Sequence, residues 1–145
     1  MKRTIAMLAA LLLSGIGPAL AAPAPTPVPG DWAAPNFTVS VQSALIYNNH
    51  VGDDWSGRFA VGGVPVERGA AVYVDAACGV EIRTAFEERD KIPDAGETVT
   101  VCVPSAEEME TGFTVVQKVY VYENRGRYSG KDACWEATYR FTPVR

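Results

Sequence analysis

The stretch Phe113-Thr114-Val115-Val116-Gln117-Lys118-Val119-Tyr120-Val121-Tyr122 decides the fold class. Phe113, Val115, Val119 and Val121 recur at even spacing, and Tyr120 and Tyr122 fall in the opposite phase. A period of two puts successive side chains on opposite faces of an extended chain, so this is a strand with one apolar face. The same pattern recurs on both sides. Upstream lie Phe37, Val39, Val41 and Leu45; Trp55 to Val61, closed by Gly62-Gly63; Ala70 to Val74; Val80, Ile82, Thr84 and Phe86; and Val99, Val101 and Val103, ended by Pro104. Downstream, Trp135, Ala137, Tyr139 and Phe141 close the pattern. Turn clusters rich in Asn, Asp, Gly and Pro separate these runs at residues 48–54, 93–96, 124–126 and 129–132. Ser105 to Thr111 reads as one short helical turn. About seven or eight strands at regular spacing predict an all-β antiparallel sandwich, with a small β-barrel as the alternative.

The N-terminal residues are of another kind. Lys2 and Arg3 precede an apolar run from Ile5 to Leu13, broken by Gly15, Gly17 and Pro18 and followed by Ala19-Leu20-Ala21. That order predicts a signal peptide over residues 1–21 and export to the periplasm or the medium. The apolar run is shorter than the ~20 residues a spanning helix needs, so no transmembrane segment is expected in the mature chain. Prolines 23, 25, 27 and 29 then alternate with small residues. They predict an extended spacer over residues 22–35. The sandwich domain is expected over residues 36–145.

The chain carries a formal charge of −4, and removal of Lys2 and Arg3 makes it two units more negative. This excludes nucleic acid as a partner, because phosphate binding depends on Lys and Arg. Three cysteines, 78, 102 and 134, are an odd number for an oxidising compartment, so one thiol is left over or pairs with another chain. Strand parity points Cys78 inward, and Cys102 and Cys134 outward, which favours a Cys102–Cys134 disulfide.

His50 is the single histidine and sits in a turn. No G-x-S-x-G elbow accompanies it, so a serine triad has no nucleophile. The acidic turns are the stronger candidates. Glu88, Asp90, Asp94 and Asp132 supply oxygen ligands of the kind calcium takes, and they predict a weak Ca2+ site at one end of the sandwich. The loop at residues 88–97 and the loop at 123–132 should share that end. The Asn48 to Asp54 loop should join them only if residues 70–87 form one continuous strand. The outward tyrosines 120 and 122 offer a contact surface for a protein or a glycan.

Asn48-Asn49-His50-Val51-Gly52, Trp55, Glu88-x-Asp90-Lys91-x-Pro93-Asp94-x-Gly96 and Glu123-Asn124-Arg125-Gly126-Arg127-Tyr128-Ser129-Gly130 together resemble uncharacterised exported bacterial β-sandwich proteins. Their outline is similar to that of C2 domains. The resemblance covers roughly residues 36–142. It implies an eight-stranded sandwich and a calcium site in end loops, and no activity. The function expected is an exported, non-enzymatic binding or structural module. A small secreted hydrolase using the acidic loops and an inhibitor of a secreted enzyme are the alternatives.

Overall fold

The computed structural model describes residues 36–90 and 92–145. The expected signal peptide and spacer lie outside the described residues. The elements are β1 (Phe37–Asn48), β2 (Trp55–Val61), β3 (Val64–Pro65), β4 (Ala71–Val74), β5 (Val80–Glu88), β6 (Asp94–Cys102), α1 (Ala106–Thr111), β7 (Phe113–Tyr122) and β8 (Asp132–Pro143). They form two antiparallel four-stranded sheets, β4-β1-β8-β7 and β3-β2-β5-β6. This is the sandwich that the period of two predicts.

Alternation decides what fills the space between the sheets. Val39 and Val41 of β1, Ile82 and Phe86 of β5, Val119 and Val121 of β7, and Tyr139 and Phe141 of β8 all point inward and are buried. Aromatic rings stack through the core. Phe86 lies parallel to Trp135 at 4.4 Å between centroids, and Phe113 lies parallel to Phe141 at 4.3 Å. One polar knot sits among them. Gln117 faces inward, accepts from Thr84 Oγ1 and donates through Nε2 to the Ile82 carbonyl (3.0 Å) and to Thr100 Oγ1 (2.9 Å). Each buried amide group thus has a partner, which removes most of the cost of burying it.

One strand faces the opposite way from the parity reading. Val99, Val101 and Val103 are 44 %, 69 % and 68 % exposed, while Thr98, Thr100 and Cys102 point toward the interior. The cause is the close approach of β7. A Cβ on Gly96 would collide with the backbone carbonyl of Tyr120, and Thr98 Oγ1 donates to the Lys118 carbonyl at 2.7 Å. This face of β6 has room for glycine and hydrogen-bonding threonines, not for a row of valines.

The chain path needs a second correction. Asp75 to Gly79 is a full reversal between the sheets, because β4 runs antiparallel to β1 and β5 antiparallel to β2, which itself returns from the end where β1 stops. The Asn48 to Asp54 loop nevertheless lies with the other two loops. The short β3 and the crossing from Val66 to Ala70 supply the additional passage that restores the direction. A two-residue strand carries no periodicity, so this passage has no signature in the sequence.

The predicted helical turn is α1. Ser105 Oγ accepts from Glu108 N, and Glu108 Oε2 accepts from Ser105 N at 2.8 Å, a reciprocal capping box. These bonds hold the Glu108 carboxyl below its usual range.

Candidate functional site

The three loops after β1, β5 and β7 gather at one end of the sandwich and are tied by hydrogen bonds. Asp94 Oδ1 accepts from the backbone N–H of Asn124 (3.2 Å) and from its side-chain amide (2.8 Å). Asn49 N–H donates to the Asp132 carbonyl at 3.0 Å, and Arg89 N–H donates to the Asp54 carbonyl at 2.7 Å. The expectation that the loops near Glu88 and Glu123 share an end is met in this way. Their extent differs: β5 runs to Glu88, and Asp94 to Glu97 already belong to β6.

The first loop is held from within. Asn48 Oδ1 accepts from Val51 N–H at 2.9 Å, and its amide donates to the Gly52 carbonyl at 2.6 Å. Val51 is buried and anchors the loop. His50 is pushed to φ 60°, the one non-glycine residue at positive φ among the described residues. An L-residue pays roughly 1–2 kcal/mol to stay there. Its ring stacks on Tyr128 at 4.9 Å and 14°, and Arg127 lies over the same tyrosine at 5.7 Å.

These loops border an open hollow of about 660 Å³ whose polar lining is Asn48, His50, Asp53, Glu88, Asp90, Glu123 and Tyr128. Glu88 is 3 % exposed and lies against Gly52, where an added Cβ would collide with its carboxylate. Burial, and then the nearby charge of Asp90, push the Glu88 carboxyl up; the backbone N–H groups of Asp90 and Asp54 partly offset this. Behind the loop, Trp55 Nε1 donates to the Gly52 carbonyl at 3.1 Å, and Trp55 meets Trp135 edge-on at 5.6 Å.

Tyrosines continue the surface onto the outer face of β1, β8 and β7. Tyr47 and Tyr120 flank Cys134 in register. The Tyr47 hydroxyl donates to Asp132 Oδ2 at 2.5 Å, and that bond pushes its pKa up to about 12. Tyr120 and Tyr122 are half-exposed, on the outward face that the sequence phase predicts.

The carboxylates expected to bind calcium share this end but not one centre. Asp94 is spent on Asn124, Asp132 on Tyr47, Asp90 Oδ1 on the backbone N–H of Ile92 at 2.6 Å, and Glu88 on Asp90 N–H at 3.1 Å. Among the described residues, no group of three or more His, Cys, Asp or Glu side chains is placed to hold a metal ion. The Cys102–Cys134 disulfide is also not formed, and the three cysteines are free. Cys134 faces outward as predicted but is sealed between tyrosines. Cys102 faces inward, because β6 presents the other face. Cys78 lies exposed in the turn before β5.

Sequence reasoning set His50 aside as an ordinary turn residue and missed Tyr47. Neither carries a local signal. His50 matters through its stack on a loop far along the chain, and Tyr47 through a bulge that shifts the β1–β8 register between Leu45 and Tyr47.

A second hollow, about 670 Å³, lies on the outer face of β2, β5 and β6. Its floor is alanine 60, 85 and 95. Its charged walls neutralise one another, with Arg83 bound to Glu97 (2.9 Å) and to Glu81 (3.1 Å). No buried polar group aims into it, so the loop end is the candidate site. Among the described residues, no helix is long and apolar enough to cross a membrane. No protein-family model, curated protein or solved structure matches the chain.

Proposed function

We propose that the chain is an exported, non-enzymatic binding module whose loop end receives a cationic group of a partner protein. The observation that supports this most is the convergence of Asp53, Glu88, Asp90 and Glu123 around one hollow. Carboxylates gathered around a concave surface focus a negative potential that attracts cations. Tyr128 lies beside them with His50 stacked on its ring and Arg127 over it, so the carboxylates supply the attraction for a lysine or arginine side chain. Kinship with exported bacterial C2-like sandwiches belongs to this reading, and the two four-stranded sheets support it.

Calorimetric titration with an oligolysine peptide tests the proposal, with calcium chloride as a parallel arm. The peptide should bind more weakly as salt rises, and Asp53→Asn combined with Glu123→Gln should weaken it roughly tenfold. Binding that ignores both salt and the double substitution would overturn the cationic reading. A calcium isotherm with no peptide binding would favour the metal expectation instead.

A second reading, a small hydrolase, is favoured by one observation: Glu88 has a raised pKa and shares the hollow with His50. Against it, the Glu88 carboxylate is already engaged by backbone N–H groups and serves to pin two loops. Turnover of a hydrolase substrate that disappears in Glu88→Gln and in His50→Ala would establish it.

A further inference from the structure

We infer that Cys78 and Cys102 are the disulfide-forming pair, closing the base of the β5–β6 hairpin, and that Cys134 is the leftover thiol. The inference does not depend on what the loop end binds. Cys78 lies in the turn closed by the bond from Gly79 N–H to the Ala76 carbonyl, 3.0 Å long. The next residue backs directly onto β6. A Cβ on Gly79 would stand 3.5 Å from the Cys102 carbonyl oxygen and 3.1 Å from Val103 Cγ2. Val80 is the register partner of Cys102. Cys78 is therefore separated from a residue directly opposite Cys102 only by a glycine at φ 99°. Glycine at that angle lets the turn swing the Cys78 side chain toward β6 at little cost.

Cys134 is placed differently. It lies near the loop end of β8, 2 % exposed, with Tyr47 and Tyr120 as its register partners. Cys102 lies at the far end of β6, in the other sheet. The bridge favoured by parity would have to cross between the sheets and along most of their length.

A small disulfide such as oxidised glutathione is a sufficient oxidant. The exposed Cys78 thiolate attacks one of its sulfurs, and one glutathione thiolate leaves. The Cys102 thiolate then attacks the Cys78 sulfur and expels the second. The protein loses two hydrogens and two electrons, and one oxidised glutathione becomes two thiols. The bridge would clamp the hairpin that carries Glu88 and Asp94 at its other end.

Peptide mapping of the full chain after treatment with oxidised glutathione tests this. Alkylation in denaturant and trypsin place each cysteine on its own peptide: residues 69–83, 92–118 and 132–140. The first two should appear linked, two hydrogens lighter than their sum, and the third alkylated. A link that includes 132–140, a stable glutathione adduct on Cys78, or three alkylated cysteines would each overturn the inference. A melting experiment supplies a second readout. Reductant should lower the melting temperature of oxidised Cys134→Ser by about 10 °C, and should leave the Cys78→Ser, Cys102→Ser double variant unchanged. If either variant fails to fold, the wild-type map still decides.

Discussion

Glu88 is the residue on which the loop end turns. Its folded carboxyl titrates above the ordinary 4.5, because burial disfavours the charge. The folded protein therefore holds this proton more tightly than the unfolded chain does. The resulting stabilisation is complete below pH 4.5 and is lost as pH rises through the raised value. Glu88→Gln keeps an acceptor and cannot ionise, so it escapes that loss. The melting temperature of Glu88→Gln minus that of wild type should rise as pH climbs from below 4.5 through the raised value, and then level off. Glu108 has the opposite slope but is common to both proteins, so it cancels in the difference. A difference that stays flat or falls would show that Glu88 ionises without penalty. Gly52 matches this residue. Its φ of 124° and the missing Cβ leave room for the Glu88 carboxylate, and no sequence pattern announces that pairing.

Among the elements, β6 tests how far alternation can be trusted. The strand is legible: Val99, Val101 and Val103 recur with period two. Its face is not, because burial of β6 depends on β7 and not on its own composition. Gly96 and Thr98 fit against the Tyr120 and Lys118 carbonyls, and the valines are left outside. Val101→Lys should therefore change unfolding free energy by less than about 0.5 kcal/mol. Ile82→Ala, on the buried face of the neighbouring β5, should cost about 2–5 kcal/mol. Denaturant melts of the two variants check this, and a Val101→Lys protein that unfolds would restore the parity reading. The direction expected for Cys102 is reversed for the same reason, since Cys102 turns inward with the rest of its face.

For the whole molecule, the decisive strand is the last one. β8 lies between β1 and β7, and its register runs from Phe37 opposite Pro143 to Asn48 opposite Ala133. Removing residues 132–145 would strip the pairing partner from both neighbours and take Tyr139 and Phe141 from the core. The truncated chain should give no cooperative melt and no β-sheet signal in far-ultraviolet circular dichroism. A cooperative transition in that chain would mean that the β3-β2-β5-β6 sheet folds alone. Pairing between chain ends also makes contacts long-range, and folding in milliseconds to seconds is expected from that topology.

The fold class could be read from residue order alone, because a period of two is a local property of strands such as Phe113–Tyr122. The short helical turn at Ser105 to Thr111 and the turns at Asn48 and Gly126 are equally local, and they too were legible. The shared end of the acidic loops followed from counting strands between Glu88 and Glu123. What could not be read depends on neighbours distant in the chain. The inward face of β6 is chosen by β7, the position of the Asn48 to Asp54 loop by a two-residue strand, and the commitments of Asp94 and Asp132 by Asn124 and Tyr47. A carboxylate's type and spacing are written in the chain. Whether it remains free for a ligand is decided by the donors that folding brings beside it, because most buried oxygens in a folded protein are paired.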